Sequence, residues 1–222
     1  LWILPAMIVA QAAEPPSGRA WGEGARGVLL LHDEGRTSRD WGRFGQRLAA
    51  NGFHVYAPDL TGGHPEDVTR AVDWLRAQGS TTVRVVGAGL GANLGLQGPD
   101  IADLVMLSPR PSAPGPGLVD LLARHGTRPL LVVAASDDPL SARTARLVHG
   151  RARGPKHLEL CPGNARGTRL LNTTPALEPL LLAWLSGTFL PSTTPPPRAD
   201  EVRTSGVGEL QTQGTRLDER QR

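Results

Sequence analysis

Residues 83–93 constrain this chain more than any other stretch. Val83-Arg84-Val85-Val86 is strand-like, and Gly87-Ala88-Gly89-Leu90-Gly91 follows directly. Ala92-Asn93 then opens a small-residue helix. The pattern is a strand, a sharp glycine-rich turn and a helix. A strand that feeds a helix through so short a turn belongs to an alternating α/β architecture.

The flanking sequence has the same alternation. Residues 27–31 form a continuous apolar run, as expected of a strand buried on both faces. Trp41, Phe44 and Leu48 fall on one helical face, with Asn51-Gly52 as the stop. Residues 53–57 read as a strand. Residues 65–78 read as a helix through Val68, Ala71, Val72 and Leu75. Strands are expected over 102–107, 130–135 and 157–161. A helix capped by Ser141 is expected to run to about residue 150. A last helix opens near Thr174-Pro175 and turns Leu177, Leu181 and Trp184 inward, with Pro179 delaying or bending its first turn. The fold expected is a three-layer α/β sandwich with a mostly parallel central sheet, spanning 27–190. The longest break, residues 108–117, leaves room for a minimal lid only.

The ends read differently. Residues 1–13 are apolar and close on Ala10-Gln11-Ala12, which resembles a secretory signal peptide without a charged leader. Export to a periplasmic or extracellular space is the expectation, with a cytoplasmic location as the alternative, and with no stable membrane span once the signal is removed. Residues 14–26 read as a linker or N-terminal segment. Residues 191–222 are rich in Pro, Thr, Gly, Gln and charge, and read as a disordered tail.

Composition excludes several classes. Of 24 basic residues only Lys156 is a lysine, and the arginines are interleaved with acids for a net charge of +3. No basic block tracks a phosphate backbone, so no nucleic-acid partner is expected. Cys161 is the one cysteine, and no pair among the six histidines has metal-ligand spacing. Neither a metal nor a cofactor is expected, and the oligomeric state is not legible.

Three stations carry a resemblance to the α/β-hydrolase family. His32-Asp33-Glu34-Gly35 after the first strong strand is similar to the family's His-Gly-x-Gly oxyanion loop. The turn at 87–91 is similar to the Gly-x-Ser-x-Gly nucleophile elbow. Asp137-Asp138-Pro139 after a strand, then Asn164-Ala165-Arg166-Gly167, stand where the family has its acid and its His before a Gly. The resemblance implies an acid at Asp138, with Asp137 as fallback, and oxyanion-hole N–H groups at Glu34 and Leu90. It also implies a nucleophile at Gly89 and a base at Arg166, and neither residue can serve. Glycine has no side chain to attack with, and arginine has no acceptor lone pair. Asp33 stands where the family has the first Gly of the oxyanion loop.

Three readings follow. The first is a non-catalytic hydrolase-fold protein that binds a small anionic or acyl ligand, through free N–H groups of Leu90 and Gly91 and the charge of Arg166. The second is an active esterase with another nucleophile, Ser108 and Cys161 being the candidates. The third is dinucleotide binding, because Gly87-Ala88-Gly89-Leu90-Gly91-Ala92 also matches G-x-G-x-x-A. Against the third, Asp103 lies at the wrong end of the following strand for a ribose contact. His32 is expected to be structural.

Overall fold

The computed structural model describes residues 17–112 and 115–189. The signal-peptide reading of 1–13 and the tail reading of 191–222 lie outside the described residues.

Seven strands form one sheet: β1 (Gly18–Trp21), β2 (Arg26–Leu31), β3 (His54–Pro58), β4 (Thr82–Ala88), β5 (Leu104–Leu107), β6 (Leu130–Ala135) and β7 (Lys156–Cys161). Their order across the sheet is β1-β3-β2-β4-β5-β6-β7. Among the described residues only β1 runs antiparallel to its neighbour. The helices are α1 (Gly42–Ala50), α2 (Pro65–Ala77), α3 (Leu90–Gly95), α4 (Leu118–His125), α5 (Pro139–Arg151), α6 (Arg169–Thr173) and α7 (Leu177–Leu185). A turn of 3₁₀ helix, Ser38–Trp41, leads into α1.

Period-2 alternation along the strands divides the core in two. Leu29, Leu31, Val83, Val85, Leu104 and Met106 point to one face, where residues of α2, α3, α4 and α5 cover them. Val28, Leu30, Val86, Ala88, Val105 and Leu107 point to the other, under α1, α6 and α7. The three layers are those expected from the sequence. No described helix is long and apolar enough to cross a membrane.

Four details differ from the sequence reading. The sheet includes Gly18–Trp21, so the stretch 14–26 is not simply a linker. This edge strand is exposed along most of its length, and so shows no apolar run. The cap of α5 is Asp138, whose side chain accepts from the Ser141 N–H; Ser141 lies inside the helix. Helix α4 went unread although Leu118, Leu121, Leu122 and His125 carry the spacing i, i+3, i+4, i+7. Helix α7 begins at Leu177, which puts Pro179 in its first turn, where a missing N–H breaks no helical bond.

Candidate active site

The carboxyl ends of the parallel strands bring the stations together, as open α/β sheets do with their ligand sites. Asp33 and Glu34 follow β2, Gly89 follows β4, Ser108 follows β5, Asp138 follows β6 and Arg166 follows β7. Asp103 precedes β5 at the opposite end, where it pairs with Arg84 Nε at 2.8 Å.

Gly89 sits in the turn between β4 and α3 with φ 53° and ψ −116°. That region favours glycine. The other two glycines of the turn are fixed by packing. A Cβ at Gly87 would run into the Gly91 carbonyl and the Ala92 backbone, and one at Gly91 into the carbonyls of Leu31 and His32. Close contact of α3 with β2 and β4 therefore accounts for glycine at 87 and 91.

The oxyanion-loop position holds the main surprise. Glu34 N–H, after β2, and Leu90 N–H, at the start of α3, converge on one oxygen. That oxygen is Asp33 Oδ1, at 2.8 Å from each nitrogen. Arg110 Nη2 reaches the same oxygen at 3.0 Å, while its Nη1 donates to Glu34 Oε2 at 2.7 Å. Leu90 N–H is thus not free for an outside anion, contrary to the reading from sequence. A Cβ at Gly89 would overlap the Asp33 carboxyl group. The chain's own carboxylate fills both the space between these two donors and the room a side chain at residue 89 would need.

This arrangement is braced from two sides. The Asn93 side chain, fully buried, donates to the Arg110 carbonyl and accepts from the Arg110 N–H, both at 3.0 Å. His32 Nε2 accepts from Leu60 N–H at 2.8 Å, so its Nδ1–H donates to the Asp33 carbonyl at 2.8 Å. Both ring nitrogens are engaged within the chain, and His32 is structural as expected.

Asp138 and Arg166 meet. Arg166 Nε donates to Asp138 Oδ2, and Nη2 donates to Oδ1 at 2.6 Å, a bidentate pair. Ser141 Oγ–H adds a bond to Oδ2 at 2.6 Å. The Arg166 hydrogen bonds hold the Asp138 carboxyl below the usual carboxylate range; burial opposes this, and the Ser141 bonds assist. A depressed pKa contributes stability that is present above the usual carboxylate range and lost as pH falls through the depressed value. The Asp138 side chain is 3% exposed, but the Arg166 side chain over it is 60% exposed. Removing Arg166 lets water reach the acid, so Arg166→Ala is expected to cost about 1–2 kcal/mol at neutral pH, short of the 3–5 typical of a deep pair. The deficit should shrink below about pH 4. Urea unfolding of both forms across pH 2–7 measures it.

The remaining candidates are placed as follows. Ser108 is buried with φ 52°, a rare conformation for a residue with a side chain. Its Oγ accepts from Gly167 N–H at 3.1 Å. Cys161 is buried at the end of β7, and burial pushes its thiol pKa up, which disfavours a reactive thiolate. Asp137 accepts from Gly163 N–H at 3.2 Å and does not reach Arg166. Among the described residues no group of His, Cys, Asp or Glu is arranged to hold a metal. A cavity of about 290 Å³ adjoins the Asp33 carboxylate and is lined by Asp33, Ser108, Arg110, Ser112, Leu140 and Arg166.

A family model described as the alpha/beta hydrolase family matches residues 28–208. The chain belongs to that family. Solved structures with the same fold include a predicted CIB-like hydrolase from Thermoplasma acidophilum, 20% identical with TM-score 0.59 over 72% of this chain and 86% of that one. MenH from S. aureus is 12% identical with TM-score 0.65, over 77% and 98%. Dienelactone hydrolase from Anabaena variabilis is 17% identical with TM-score 0.62, over 75% and 87%. Identities this low establish the alpha/beta hydrolase fold and not the chemistry. A search of curated proteins finds no match.

Arg110 and Asn93 were missed at the sequence level. Arg110 follows the strand after the elbow, a position that reaches the cleft in this fold, and that topological cue was available. The Asn93 clamp carried no local signal.

Proposed function

We propose that this chain is a non-catalytic member of the alpha/beta hydrolase family, a pseudo-hydrolase whose triad positions are degenerate. Its pocket holds a small anionic or acyl ligand without turning it over. The observation that carries the reading is the Asp33 carboxylate in the oxyanion hole, bonded by Glu34 N–H and Leu90 N–H. An oxyanion hole accelerates acyl transfer only when its donors are free to meet the charge that develops on the substrate oxygen. Here a full negative charge already sits there. The Gly89 and Arg166 positions support the same reading. Nothing at the first can attack, and a guanidinium bound to Asp138 cannot take a proton.

The test is hydrolysis of 4-nitrophenyl acetate and butyrate by protein free of host esterases. Wild type and Asp138→Asn are expected to match the buffer rate. Wild-type turnover that survives Asp138→Asn would overturn the reading and direct attention to Ser108, then Cys161.

A further inference from the structure

The geometry around Asp33 assigns it a second property, which rests on the non-catalytic reading above. We propose that Asp33 is an internal gate on a carboxylate site: a free monocarboxylate takes its place on Glu34 N–H, Leu90 N–H and Arg110, and the Asp33 side chain rotates aside. Four observations carry this.

The donor set is already loaded with a carboxylate. Two backbone N–H groups, those of Glu34 and Leu90, donate to one oxygen at 2.8 Å each, and the Arg110 guanidinium pairs with it at 3.0 Å. A free carboxylate satisfies the same donors without rearranging them. The backbone of Asp33 is pinned, because its carbonyl accepts from His32 Nδ1–H and from Arg36 N–H at 3.1 Å. Exchange is therefore a rotation about side-chain bonds, with no loop movement needed. The Asp33 side chain is 31% exposed. It has an open side to turn towards, and the incoming group has a route.

The adjoining cavity of about 290 Å³ supplies the rest of the ligand's surroundings. Arg166 lies on its wall and brings a second positive charge near Asp33. Leu140, half exposed at the start of α5, gives the wall an apolar surface. A short hydrocarbon chain behind the carboxylate would cover it. The class of ligand is thus a small monocarboxylate with a short apolar tail, and not a bare inorganic anion.

The cost is competition. A tethered carboxylate acts at a high effective concentration, so free acids bind the wild type weakly. Removing the tethered group removes the competitor. In Asp33→Ala, propionate is expected to bind about 100-fold more tightly than in wild type.

The experiment titrates sodium propionate, against sodium chloride at equal ionic strength, into ¹⁵N-labelled full chain. The Glu34 and Leu90 amide resonances are followed. Saturable shifts of both in Asp33→Ala, with weaker binding in wild type, are expected. Equal affinity in the two forms, or no shift in Asp33→Ala, would overturn the gate. Should Asp33→Ala fail to fold, Asp33→Asn keeps the shape and an acceptor oxygen without the charge. It must then bind propionate more tightly than wild type. Ester turnover on the same samples separates the two ideas, since wild-type hydrolysis would overturn the non-catalytic reading whatever propionate does.

Discussion

Installing serine and histidine together, as Gly89→Ser with Arg166→His, is expected to leave the protein without esterase activity until Asp33 is also replaced by glycine. The two substitutions rebuild the triad with Asp138 in chain order. They do not rebuild the site. The serine Cβ would land on the Asp33 carboxyl group, and the hole would still hold that carboxylate. Because the backbone fixes the Cβ position, either the Asp33 carboxyl group is pushed out, with loss of its bonds to Glu34 and Leu90, or the turn itself is displaced. Asp33→Gly removes both obstacles. Triad members act as a unit worth roughly 10⁴- to 10⁶-fold, so the three single variants and the three doubles should stay near background. The triple variant alone should rise measurably above it, by about 100-fold or more, since one free oxyanion donor accounts for about 10²–10³ by itself. Assaying all eight forms with 4-nitrophenyl acetate checks this. A double variant that retains Asp33 yet matches the triple would mean the carboxylate is no barrier.

The second large effect concerns the turn itself. Gly87→Ala should destabilise the domain by about 3 kcal/mol or more, because the added Cβ meets backbone atoms of Gly91 and Ala92 and no flexible side chain. At a few degrees per kcal/mol for a domain of this size, the thermal midpoint should fall by about 6–12 °C. Gly150→Ala is the matched control. It lies inside α5, and a Cβ there meets nothing within 4 Å. It should be neutral or gain up to about 1 kcal/mol through helix propensity. Calorimetry on both variants should give shifts of opposite sign or a single large loss. A mild Gly87→Ala would mean that α3 packs less tightly on β4 than the geometry requires.

Much of the fold was readable because its signals are local. Buried parallel strands appear as apolar runs, so β2, β4 and β6 stood out, and helix faces such as Val68, Ala71, Val72 and Leu75 repeat within one segment. Elements lacking a local signal were lost. β1 is an exposed edge strand that joins the sheet only through backbone pairing with β3.

The site divides in the same way. The sequence by itself determined that Gly89 has no side chain to attack with and that Arg166 has no lone pair to accept a proton, wherever they lie. The opposite charges of Arg166 and Asp138 are written in the sequence, and their places after neighbouring strands β7 and β6 give the buried acid its partner. Only the tertiary structure decided what fills the space left behind. Asp33 and Leu90 are 57 residues apart, and parallel pairing of β2 with β4 sets them side by side. Whether the Asp33 carboxylate turns into the hole then depends on one side-chain rotation and on Arg110, which Asn93 holds from across the turn. Such a choice is made by distances between loops, and no spacing along the chain records it.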